Sequence, residues 1–350
     1  MAGCSVNTPW FEMRVGVPSP TSTGGGEVTY SATVTVVSTE TPVPAPTAPP
    51  PPTPTPTPTP NPEALIASAE SSARSGAGPL AIELFERAAP LLPASSPQRA
   101  NTRYRLGQLK LDEGDPAGAA RDLADAAANA PDPAFAVDAR ILLGRALAQS
   151  GDQPGAISAW TAALSVTSPI STYLHGWIGD AQIALKAPTQ AITPYLRALD
   201  VTTSASQAAV RREKLALARQ LSGDYTGAAA EYDAILSFAR ITAYRARLIW
   251  EKAQVLVAGG DTRAGYALMQ QLLVNYPAEP AAFSALQALL DAEQPVDDLQ
   301  RGIVNYYAAN HPSAQLAFVR AINAVKPGQA ARTDEILYWA GLNYIALESP

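Results

Sequence analysis

Cysteine is all but missing from this chain. Cys4 is the only one in 350 residues, so no internal disulfide can form and a thiolate metal site is excluded. Histidine is nearly as scarce. His175 and His311 are the only two and fall in different parts of the chain, which argues against a histidine-based metal centre. A basic excess is lacking as well, since 25 Lys and Arg face 31 Asp and Glu for a net charge of -6. Nucleic-acid binders gather positive charge on one face, so that class of partner is not expected. No apolar run approaches the eighteen or more residues that a membrane span needs. No cofactor, metal or catalytic constellation is expected in these residues.

What the chain has in abundance is a recurring three-part mark. A small residue is followed after seven positions by a turn residue and five positions later by another small one: Gly107/Gly114/Ala119, Gly144/Gly151/Ala156, Gly179/Lys186/Ala191, Ala216/Gly223/Ala228 and Ala253/Gly260/Gly265. The last members step by 37, 35, 37 and 37 residues, a period that means stacked helix pairs instead of one shared core. The first small residue lets the partner helix approach, and the turn glycine supplies the left-handed conformation that ends a helix. Asp115 and Asp152 then stand where a carboxylate caps the next helix. Pro62-Glu63 suits a helix start, and the break at 75–79 with Phe85 beyond it gives an earlier, degenerate unit. After Pro277 the register slips by an extra helix around 282–292; helices near Asp297–Tyr307 and Leu316–Ile322 follow, and a last one carries Ile336, Trp339, Gly341 and Ile345. A unit ending on its first helix leaves an apolar side uncovered, so further chain is expected after it. The fold predicted is all-α, a right-handed solenoid of about seven helix-turn-helix units over residues 63–350.

Residues 5–62 show no helical period. Val28 to Val36 alternate with polar residues, and prolines fill twelve of the twenty-two positions from Thr41 to Pro62. Such a run favours polyproline II at about 3.1 Å per residue, a disordered spacer of up to roughly 70 Å. Residues 1–4, Met-Ala-Gly-Cys, resemble the end of a bacterial lipoprotein signal. The resemblance implies lipidation at Cys4, a start drawn too far downstream, and an exported protein that meets the membrane only through that anchor.

The spacing in the helical part resembles the tetratricopeptide repeat, whose thirty-four-residue unit combines small residues on both helices, a turn glycine, an aromatic, an alanine and a closing proline. Gly144, Gly151, Ala156, Trp160 and Ala163 fill five of these places, and Pro131 and Pro277 the last one in two other units. The whole layout is similar to the helical, non-catalytic part of exported lytic transglycosylases, and the string from Val296 to Tyr307, with Ala317-Phe318 and Tyr338-Trp339, resembles the segment leading to their lysozyme-like domain. That family cuts peptidoglycan with a glutamate before a serine, with a Gly-Leu-Met-Gln string further on. Glu348-Ser349 and Ala267-Leu268-Met269-Gln270 imitate these parts in the wrong order. Met269 is expected in the core and Glu348 in a turn, so the parent protein's catalytic domain, if any, lies outside these residues. The alternatives are a stand-alone envelope lipoprotein adaptor and, third, a cytoplasmic adaptor.

Tetratricopeptide arrays bind along the concave face of their first helices, at positions three before and one after the small residue. By that resemblance the candidates are Tyr104 and Gln108, Ile141 and Arg145, Asp180, Trp250 and Gln254, and Tyr338, a lining suited to a peptide or a peptidoglycan glycan. Ordinary packing between units is the competing role for each aromatic. The charge runs at 211–214 and at Arg240, Arg245 and Arg247 are expected on solvated helix faces, and His175 beside Trp177 in packing.

Overall fold

The computed structural model describes residues 61–164 and 170–348; Cys4, the Pro/Thr-rich stretch before Asn61 and Ser349 fall outside them. The described residues form sixteen α-helices and no strand. Six pairs come first: α1 Pro62–Arg74 with α2 Gly78–Ala88, α3 Pro97–Asp112 with α4 Pro116–Ala128, and α5 Pro133–Gln149 with α6 Gln153–Ala163. Then come α7 Ser171–Ala184 with α8 Pro188–Asp200, α9 Ala205–Leu221 with α10 Tyr225–Leu236, and α11 Thr242–Ala258 with α12 Thr262–Asn275. The helix α13, Pro280–Asp291, stands between them and the seventh pair, α14 Asp298–Tyr307 with α15 His311–Asn323; α16, Ala330–Glu348, closes the described chain.

Local chemistry explains the boundaries. Pro62, Pro97 and Pro133 open first helices at a place where the missing N–H has no acceptor to serve. Each turn then ends on a left-handed residue, Gly114, Gly151, Gly223 and Gly260, with φ between 80° and 92°. Lys186 and Ala309 occupy the same place with φ of 57° and 56°. An aspartate next to the turn glycine caps the second helix: the amides of Gly118, Gly155 and Gly227 donate to Asp115, Asp152 and Asp224 at 2.8, 2.9 and 2.8 Å. That bond is the largest cause holding the Asp224 carboxyl below its usual range, with Arg219 adding to it.

Each helix packs chiefly on its neighbours in sequence. The fit inside a pair is a large side chain pressed against a residue with little or no side chain. Sixteen positions after Gly107, Gly144, Gly179 and Gly302 stand Leu123, Trp160, Tyr195 and Phe318, and an added Cβ on any of these glycines would run into that side chain. Tyr232 and Met269 hold the same relation to Ala216 and Ala253. The Trp160 indole N–H donates to the Ile141 carbonyl at 3.2 Å, which satisfies its polar atom inside the pair. The apolar interior is accordingly divided into clusters drawn from consecutive helices, such as Val137, Trp160 and Ile178, or Ile249, Met269 and Leu286.

The last helix differs from expectation. It runs unbroken for nineteen residues to Glu348, with no turn after Gly341, and a Cβ on Gly341 would meet open space. Ile336 and Asn343 are its buried residues, while Leu337, Tyr338, Tyr344 and Ile345 are more than half exposed. Asn343 ties it to α15: its amide donates to the His311 carbonyl at 3.1 Å and its oxygen meets His311 Nδ1 at 3.0 Å.

Candidate functional site

The first helices of successive units are joined by polar bonds between residues 34 or 35 positions apart. Arg105 donates to Glu70 through two nitrogens at 3.1 and 3.2 Å, and that bond holds the guanidinium's proton more firmly than usual. Lys214 reaches both oxygens of Asp180 at 2.6 and 2.8 Å, and Arg247 both oxygens of Glu213 at 3.0 Å. The Gln207 amide donates to the Tyr173 hydroxyl at 3.3 Å. Of the charge runs expected on solvated faces, Glu213, Lys214 and Arg247 form rungs between units. Arg212 pairs with the buried Glu231 at 2.5 Å, and Arg245 caps the end of α10 through the carbonyls of Leu236 and Ala239.

Between these rungs the first-helix face opens into clefts, two of which contain residues that the sequence singled out. The first, of about 340 Å³, lies where α1, α3 and α5 come together and is lined by Arg74, Arg105, Gln108, Asp112 and Arg145. Three guanidinium groups converge there in a chain whose net charge is -6. Arg145 is exposed and has no carboxylate within ion-pair distance among the described residues. The second cleft, of about 320 Å³, lies between α7 and α9. Its walls are Tyr173 and Trp177 on one helix and Gln207, Val210 and Arg211 on the other; Asp180 and Lys214 close one end. Gly176 forms part of the floor, and a Cβ there would meet nothing within 4 Å.

Asp180 also connects this cleft to the interior of its unit. The buried Tyr195 hydroxyl passes beside Gly179 and donates to Asp180 at 2.7 Å. Burial first, and the adjoining Asp180 carboxylate second, push the Tyr195 phenol far above its usual range, so it remains a donor. His175 on the same helix is held toward its neutral form by burial and by Arg197.

The structure distributes the sequence candidates unevenly. Gln108 and Arg145 line the first cleft together, and Asp180 lines the second. Tyr104 instead lies against Phe135 of the next unit at 5.2 Å between ring centres, and burial raises its phenol. Ile141 and Trp250 pack against the clusters of their own junctions. Gln254 is exposed on α11, and Tyr338 is exposed on α16 with its ring edge toward Trp339. Arg105, Tyr173, Gln207, Val210 and Lys214 were missed by the sequence rule. A helical stripe could have found them, because 173, 176, 177 and 180, like 207, 210, 211 and 214, follow the i, i+3, i+4, i+7 spacing of one face.

Met269 is 3% exposed inside the core, as its place in the repeat requires, and Glu348 stands exposed at the end of α16. Among the described residues no three His, Cys, Asp or Glu side chains are grouped to hold a metal ion, and no helix is long and apolar enough to cross a membrane.

The pairs, their period, the small residue under a large one, and the bonded first helices decide the architecture. The fold is a tetratricopeptide-like solenoid. No family model matches the chain, and no curated protein matches it. Among solved structures, it is similar to a tetratricopeptide repeat protein from Parabacteroides merdae, at 15% identity and a TM-score of 0.44 over 81% of this chain and 98% of that one. It is similar to the C-terminal part of a repeat-containing protein from Cytophaga hutchinsonii at 15% identity and a TM-score of 0.48, covering 77% and 98%. A third is PilW, described as a type IV pilus biogenesis factor, at 17% identity and a TM-score of 0.40, covering 64% and 98%.

Proposed function

We propose that this tetratricopeptide-like array is a binding scaffold of the cell envelope, exported, held to a membrane by a lipid on Cys4, and spaced from it by the Pro/Thr-rich stretch. Its work is to hold an extended segment of a partner protein along the first-helix face. The observation that carries the binding reading is the pair of open clefts built from successive first helices, one rich in guanidinium groups and one walled by aromatic and apolar side chains. Packing alone would have closed them, as it closes the junctions around Trp160 and Met269.

The test is site-specific crosslinking in the native host. A photo-reactive benzoylphenylalanine replaces Arg145 or Gln207 in the clefts, or Arg197, which is exposed on a second helix. One protein adduct shared by the two cleft positions and absent from position 197 is expected. Adducts from position 197 alone, or none at all, reject the reading. The anchor is tested separately by labelling with a radioactive fatty acid at the chromosomal locus, where Cys4→Ser removes the label.

A narrower reading makes this scaffold the non-catalytic helical region of a peptidoglycan lytic transglycosylase. The layout and the string from Val296 to Tyr307 support it. Sedimentation of the protein with purified sacculi is its expected consequence. A protein that stays in the supernatant removes that reading and leaves the stand-alone adaptor.

A further inference from the structure

The second cleft has a chemical bias that bears on what fits it. Every carboxylate and amide oxygen in its walls is already accepting a bond from the protein itself. Asp180 receives the Tyr195 hydroxyl and Lys214, and Gln207 Oε1 receives an Arg211 N–H at 3.4 Å. The Tyr173 oxygen accepts from Gln207, and the Ser206 hydroxyl meets that of Ser204 at 2.9 Å. Donors, in contrast, are in surplus. Gln207 has a second amide N–H, Tyr173 its own O–H, and the Arg211 guanidinium and Lys214 ammonium carry further protons. Beside these donors stand apolar surfaces that the fold leaves open, with Tyr173 46% and Val210 56% exposed and Trp177 half-buried. Arg211 lies 5.6 Å from the centre of the Tyr173 ring, which fixes that ring as a wall.

A ligand for such a place presents acceptors and apolar rings and few donors of its own. An ordinary extended peptide brings an N–H at every residue, and in these walls each finds only oxygens that already accept a bond. A proline-rich segment brings none. Proline has no N–H, its polyproline-II backbone carries carbonyls that point outward unpaired, and its rings are compact apolar units that pack on aromatic walls. The open floor at Gly176 gives such a backbone room to lie close to α7.

We infer that the cleft between α7 and α9 is a docking site for a polyproline-II segment of a partner protein, with Tyr173, Trp177 and Val210 seating the rings and Gln207 and the Tyr173 hydroxyl donating to its carbonyls. This rests on the proposed binding role of the first-helix face and names the chemistry of the occupant.

The experiment titrates the full chain with a fluorescein-labelled proline decamer and with a decamer alternating alanine and serine, read by anisotropy. The proline peptide binds and the control does not. Tyr173→Ala and Val210→Asp each weaken binding about tenfold or more, as loss of a central anchor does, and Gln207→Ala weakens it by about three- to fivefold, the size of one neutral hydrogen bond. Arg197→Ala, exposed on the second helix α8 and outside the cleft, leaves it unchanged. Thermal melting confirms that the variants are folded. Equal binding of both decamers, or proline binding indifferent to Tyr173 and Val210, overturns the inference while crosslinking at positions 145 and 207 still stands for the scaffold. Failure of the crosslinking as well takes both down. Binding that emerges only after residues 41–60 are deleted shows the cleft filled by the chain's own prolines and overturns the assignment to a partner.

Discussion

At the residue scale, the repeat is enforced by two positions that tolerate little change. Gly144 lies under the Trp160 ring, and the ring is pinned by its bond to Ile141, so a methyl group cannot be absorbed by a small rotation. Gly144→Ala is expected to cost about 2 kcal/mol, the penalty of overpacking a closed interior, as measured by chemical denaturation. The turn position works in the opposite direction at Lys186 and Ala309. Both are exposed, and both hold a left-handed backbone with a side chain attached. That conformation costs roughly 1–2 kcal/mol, and glycine gives back about 0.5–1 through its freer unfolded chain. Ala309→Gly therefore raises stability by about 0.5–1 kcal/mol, where a lowered melting temperature would show that the turn is not strained. The small residue and the turn residue of the regular units were legible in the sequence because backbone geometry fixes them by distance along the chain; Ala309 was not among them. Lys186 could be placed in a turn by its interval from Gly179 alone, without any help from its residue type.

At the scale of the helix pair, what joins the two helices beside the glycine contact varies from unit to unit. In α3 and α4, Asp122 is 4% exposed at its side chain and pairs with Arg103 and with Lys110, the latter at 2.8 Å. In α9 and α10 the same three places hold Arg212, Arg219 and Glu231. In α11 and α12 they hold Ile249, Leu256 and Leu268. The chain thus contains an ionic and an apolar solution to one problem. Asp122→Asn is expected to destabilise by about 2 kcal/mol, since it removes the buried charge that Arg103 and Lys110 share and leaves them Asp125 at 3.3 Å and Glu86 at 2.7 Å. Replacing all three together, Arg103→Ile, Lys110→Leu and Asp122→Leu, restores stability to within about 1 kcal/mol of the parent. A triple variant as unstable as the single one would mean that the ions do more than join the pair. None of these pairings was legible, because a buried acid and an exposed one look alike in a helical stripe until the partner helix is placed. The groove was legible in part for a related reason. One residue after the small one is still on the open face, as Gln108, Arg145 and Asp180 show; three before it is often on the flank that the next unit covers, as Tyr104 and Trp250 show.

At the scale of the molecule, the same locality determines how stability is distributed. Each cluster of the interior is shared by three or four consecutive helices, so a unit feels its neighbours and little else. In such an array the free energy is close to a sum of unit and interface contributions, and damage stays near its source. The inserted α13, packed on α12 with contacts to α11 and α14, changes the regular step between pairs but stays within one apolar cluster that runs from Ala246 to Val304. The helices after it were readable from their apolar spacing, whereas how α13 reconnects them was not, since a period holds no information where it breaks. Gly144→Ala provides the probe. Native-state amide exchange in that variant is expected to speed up in α5 and α6, less in α4 and α7, and not measurably in α14 and α15, which share no cluster with them. A uniform loss of protection from α1 to α16 would instead mean that the helices open as one cooperative body, and the clefts between first helices would then be rigid features of a single unit, with no freedom to adjust one pair at a time to a bound segment.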